Sequence, residues 1–99
     1  MVVDFESELW LWEARKTESW TFVSLPVEAS DEIRDRTDGL RRGFGSVRVK
    51  ASIGTSHWLT SIFPGGDGAY VLPVKRAIRT AQKLEVGDVA AVSVELVDL

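Results

Sequence analysis

Apolar and polar residues alternate with period two along much of this chain, the pattern of half-buried strands. In residues 2–12, Val3, Phe5, Leu9 and Leu11 share one parity, while Asp4, Glu6 and Glu8 take the other. Trp10 and Trp12 then make the second face apolar as well, which predicts a bulge or a strand passing from an exposed to an enclosed setting. Residues 13–19 are polar, as a hairpin connection should be, and residues 19–25 (SWTFVSL) form a second aromatic and β-branched strand closed by Pro26. Residues 30–36 predict a short helix, capped by Ser30, with Asp31 and Glu32 complementing its dipole and Gly39 ending it. The loop of residues 41–44 leads into the clearest strand, with Gly45, Val47, Val49, Ala51 and Ile53 on one face and Ser46, Arg48, Lys50 and Ser52 on the other. A turn at residues 54–56 introduces a fourth strand, 57–63, and Gly65-Gly66-Asp67-Gly68 joins it to a fifth, 69–74. At Val74 the period changes. Val74, Ala77, Ile78 and Ala81 form one helical stripe, and Lys75, Arg76, Arg79 and Lys83 occupy the rest of that surface. Gly87-Asp88 then turns into a last strand, in which Val92, Val94 and Leu96 alternate with Ser93 and Glu95. The expectation is an all-β fold, a small antiparallel barrel of about six strands with two short helices, and not a βαβ sheet.

At 99 residues the chain is long enough for one domain, residues 1–99, with one modest core. Its 44% apolar and 27% charged residues are ordinary globular composition. The absence of cysteine excludes disulfides, thiolate metal sites and a thiol nucleophile. Leu9 to Trp12 is too short an apolar run to span a bilayer, and Asp4, Glu6 and Glu8 stand where a signal peptide would be positive. A cytoplasmic protein without membrane contact is therefore expected. Charge is strongly segregated: residues 1–40 carry −6, residues 41–83 carry +7 and residues 84–99 carry −4. Such a basic middle either makes an anion-binding face or pairs with the acidic strands across the sheet.

Few constellations carry chemistry. Asp4, Glu6 and Glu8 share a strand face, but every i, i+2 pair on a strand has that separation, so a solvated face is the plain reading. His57, the single histidine, sits beside Trp58 among Thr55, Ser56, Thr60 and Ser61, without a nucleophile-elbow motif or metal-ligand spacing. Gly65-Gly66-Asp67-Gly68 lacks the Lys-Ser/Thr pair of a phosphate loop and reads as a hairpin turn. The rings Trp10, Trp12, Trp20, Phe22, Trp58 and Tyr70 either fill the core or form a pocket or stacking platform with Arg or Lys as partners.

Residues 72–88, LPVKRAIRTAQKLEVGD, resemble the second half of AbrB-like swapped-hairpin domains: a strand ending in Pro, a short helical turn with an apolar-Arg pair, then Gly-Asp and a final strand. Arg79 stands eight residues before Gly87, as in that pattern; Pro73 stands six before Arg79 where four is usual. A wider resemblance rests on Phe5, SWTFVSLP, GSVRVKASIG, HWLTSIFP, Tyr70, Leu72-Pro73, Arg79 and Gly87-Asp88, in that order. Together these resemble the bacterial domain-of-unknown-function family nineteen-oh-five. The resemblance implies a double-split β-barrel, in which one chain supplies what AbrB-like proteins build from two, and it implies no activity.

The expected function is a non-catalytic binding module for a small anionic ligand or a protein partner, with no cofactor and no metal. The fold analogy brings Trp20, His57, Trp58, Ser61, Lys75, Arg76 and Arg79 together as the ligand site. Arg79 is expected to be structural first, its guanidinium pinning the turn before the last strand through Asp88. One rival is a nucleic-acid-binding, AbrB-like regulator using the basic segment, although the acidic flanks oppose a polyanion. A second is a small enzyme centred on His57. A monomer or weak homodimer is expected.

Overall fold

The computed structural model describes residues 1–15, 18–38 and 45–97. In chain order the elements are β1 (Val2–Glu8), β2 (Trp10–Arg15), β3 (Glu18–Ser24), α1 (Val27–Arg36), β4 (Val47–Ile53), β5 (Ser56–Pro64), β6 (Tyr70–Pro73), α2 (Arg76–Gln82) and β7 (Val89–Leu96). The strands form one antiparallel sheet ordered β1-β7-β4-β5-β6-β3-β2.

The described residues form seven strands and not six, because Leu9 breaks the first predicted strand in two. Leu9 is fully buried; its N–H donates to the Asp88 carbonyl at 2.9 Å and its carbonyl accepts from the Gly87 N–H at 2.8 Å. The two strands it joins lie at opposite ends of the sheet order. The sheet must therefore curl until its ends approach, which gives the expected barrel-like all-β wall around one core. The strictly alternating strands supply most of that core: Val47, Val49, Ala51 and Ile53 from β4, and Ala90, Val92, Val94 and Leu96 from β7, are all buried.

Two local expectations are corrected. The first helix begins at Val27, directly after Pro26, whose fixed φ suits a helix start. Ser30 is thus one turn inside the helix and not its cap; buried, it accepts the Tyr70 backbone N–H at 2.9 Å and ties α1 to β6. The helix stops at Thr37, whose hydroxyl donates to the Ile33 carbonyl at 2.7 Å. The Gly39 stop and the loop of residues 41–44 lie outside the described residues. In the second helix only part of the predicted stripe is covered: Val74 and Ile78 are buried, Ala77 and Ala81 exposed.

The predicted hairpin at residues 65–68 is present, with the Gly65 N–H donating to the Ala69 carbonyl at 2.8 Å. Acidic and basic strands do lie near one another: β7 separates β1 from β4, and Lys50 stands opposite Glu95 in the register. Among the described residues no helix is long and apolar enough to cross a membrane.

Candidate functional site

Strand β5 runs beside β4 through residues 56–62 but pairs with β6 only at Phe63 and Pro64. Its earlier part has therefore parted from β6, and the wall opens there. On the opposite side β6 stops at Pro73, and the Val74 N–H donates to the Thr21 carbonyl at 2.9 Å, turning the chain across β3 into α2. This geometry sets Lys75, Arg76 and Arg79 against Trp20 of β3 and Trp58 of β5.

A groove of about 380 Å³ results, within the usual range for a small-molecule site. Among the described residues three cations line it and no carboxylate does. Trp20 is 53% exposed and Trp58 only 8%, so one ring offers a surface while the other closes the wall. Lys75 and Arg76 are exposed, whereas Arg79 is half-buried and its Nε–H donates to the Val74 carbonyl at 3.2 Å. Thr21 and Thr60 belong to the same lining. Charge-assisted hydrogen bonds to a ligand anion, and stacking on Trp20, are what this set can supply.

Arg79 does not act through Asp88. Among the described residues no ion pair joins them; the Asp88 carboxylate instead accepts the Glu85 N–H at 2.9 Å and closes its own turn. The turn is held as well by the Asp88 N–H, which donates to the Glu85 carbonyl at 2.9 Å, and by the backbone bonds to Leu9.

His57 and Ser61 stand elsewhere. Both have the opposite parity to Trp58 on β5, and both belong to the outer face of the β4–β5 pair. His57 Nδ1 and the Ser52 hydroxyl, directly opposite in the register, share a hydrogen bond of 2.8 Å. Ser61 faces Arg48 across the same pair. A cross-sheet polar row of Asp4, Ser93, Ser52 and His57 follows from the registers of β1, β7, β4 and β5. Among the described residues no group of three His, Cys, Asp or Glu side chains is placed to hold a metal ion.

The sequence profile of Domain of unknown function (DUF1905) matches residues 5–94. The chain belongs to the DUF1905 family. The match runs from β1 into β7 and includes both walls of the groove. A comparison with curated proteins found no match.

Other features of this DUF1905 domain have no counterpart in the sequence reading. Ser52 as the partner of His57 is one: it follows only from the β4–β5 register. The placement of Trp10, Trp12 and Phe22 beside Asp67 is another, since it depends on β2, β3 and β6 being neighbours.

Proposed function

We propose that this DUF1905 domain is a non-catalytic binding module for a small anionic ligand with a flat, ring-like part, seated in the groove between β3, β5 and α2. One observation carries the reading: Trp20, Trp58, Lys75, Arg76 and Arg79 line a single groove that, among the described residues, no carboxylate enters. The ligand's anionic group is met by Lys75 and Arg76, with the guanidinium of Arg79 held in place beside them by the Val74 carbonyl. Its flat part stacks on Trp20. A single exposed ion pair contributes little, about 0–1 kcal/mol, so affinity needs the three cations and the stacked ring acting together. A total of about 4–7 kcal/mol corresponds to a Kd between roughly 10 μM and 1 mM.

A thermal-shift panel tests this. Benzoate, a nucleoside monophosphate and inorganic phosphate are compared with benzamide as a neutral, ring-bearing control. The ring-bearing anions raise Tm in a saturable way, phosphate does so weakly, and benzamide does not. Equal shifts with benzamide and benzoate contradict an anion site. A larger shift with single-stranded oligonucleotides than with any small anion favours nucleic acid as the ligand of the same groove.

A further inference from the structure

Strand β3 alternates, so Trp20, Phe22 and Ser24 face away from the core while Thr21 and Val23 face into it. Trp10 of β2 stands opposite Phe22, and Trp12 opposite Trp20, while Val71 of β6 stands opposite Ser24 on the other flank. The β5–β6 turn rises beside this patch and brings Asp67 to its edge. Trp10, Trp12, Phe22 and Asp67 thereby line a second hollow of about 380 Å³, to which no lysine or arginine among the described residues contributes.

We propose that this hollow binds a small organic cation of the quaternary-ammonium class. Ring faces attract a cation through their quadrupoles, and Trp is the strongest of the aromatic side chains in this respect. Asp67 is the one charged residue in the lining among the described residues, and its sign is complementary. Two of the three rings, Trp10 and Phe22, are held in place before any ligand arrives. Trp10 Nε1–H donates to the Ser24 hydroxyl at 3.0 Å, and the Trp10 and Phe22 ring centroids are 5.2 Å apart. Asp67 is likewise anchored, its Oδ1 accepting the Ala69 N–H at 3.2 Å.

These same bonds favour a quaternary head over a sugar or a primary amine. The Ser24 hydroxyl and one Asp67 oxygen are already engaged, so few groups remain to satisfy a ligand rich in O–H or N–H. A trimethylammonium head needs none; it asks for ring faces and a counter-charge. Arg34, the cation that engages this turn, is occupied by the Gly68 carbonyl at 2.6 Å, by Asp31 at 2.9 Å and by the Tyr70 ring, and it does not line the hollow.

The test is a calorimetric titration of the full chain with choline, with its neutral isostere 3,3-dimethylbutan-1-ol and with maltose. Choline binds saturably, the isostere about tenfold or more weakly, and maltose not measurably, as one or two cation–π contacts of about 1 kcal/mol each require. Trp12→Ala, at a residue 48% exposed, weakens choline about tenfold, and Asp67→Asn about fivefold. Lys75→Ala leaves choline binding unchanged, which separates this site from the anion groove. Absence of saturable choline binding, equal binding of the isostere, or preference for maltose overturns the proposal.

Discussion

Trp20 and Phe22 stack on the outside of β3, with ring centroids 6.3 Å apart and planes 12° from parallel. Residues i and i+2 of a strand stand on one face, so the stacking follows directly from the β alternation. Phe22 in turn meets the Trp10 ring. A row of three rings therefore runs from the groove with three cations to the hollow with one carboxylate. Trp20 belongs to the cationic end, braced by its neighbour and more than half exposed.

From that position Trp20 is expected to contribute to binding and little to folding. Trp20→Ala is expected to weaken a flat anion about tenfold, the loss of one stacking contact of about 1–3 kcal/mol. Urea denaturation of the same variant should show a change below about 1 kcal/mol, as for other exposed positions. A large stability loss with unchanged affinity would assign Trp20 to packing.

Both roles are expected of Arg79. Its Nε–H bond to the Val74 carbonyl fixes the entry to α2, so Arg79→Ala should cost about 1 kcal/mol or more and also weaken the anion. Arg79→Lys should lose nearly as much of each, because a point charge lacks the forked donor. Lys75→Ala and Arg76→Ala should weaken the anion yet stay within about 0.5 kcal/mol of the parent in stability. If Arg79→Lys retains both properties, the guanidinium geometry is not required.

Ser30 supplies a purely structural test. It is fully buried, and its hydroxyl takes the backbone N–H of Tyr70. Ser30→Ala removes that acceptor and leaves a buried donor unpaired, an expected loss of about 1–3 kcal/mol by urea denaturation. Its anion affinity should be unchanged, since Ser30 does not line the groove. A neutral effect on stability would mean that α1 is held to β6 by packing alone.

Leu9 is the point at which the sheet turns back on itself. Leu9→Ala empties a fully buried site next to the Gly87-Asp88 turn and should cost about 2–5 kcal/mol, measured by urea denaturation. Leu11→Ala, two residues on but 44% exposed, should cost under about 1 kcal/mol. Comparable losses at the two positions would contradict the break at Leu9.

What was legible in the sequence is what depends on neighbours along the chain. The β4 face of Val47, Val49, Ala51 and Ile53 could be read from alternation alone, as could the hairpin at residues 65–68. The break at Leu9 could not, because it is enforced by backbone groups of Gly87 and Asp88 at the far end of the chain. Ser30 misled because a serine before two acids has the composition of a cap, whereas Pro26 had already begun the helix. For the groove, the charge of Lys75, Arg76 and Arg79 was visible, but the fold analogy joined His57 and Ser61 to Trp58, from which the β5 alternation separates them. The aromatic set divides the same way: Trp58 and Tyr70 are buried, while Trp12 and Trp20 are half-exposed. Nothing local told these rings apart until the strand order was known.

The central claim, an anion held between Trp20 and the cations of α2, is tested most directly by the indole N–H resonances of the four tryptophans during a benzoate titration. The account predicts saturable shifts of the Trp20 and Trp58 signals with a common Kd, little change at Trp10 and Trp12, and loss of the response in the Lys75→Ala/Arg76→Ala double variant. Shifts confined to Trp10 and Trp12, or a Trp20 response that survives removal of both cations, would contradict it.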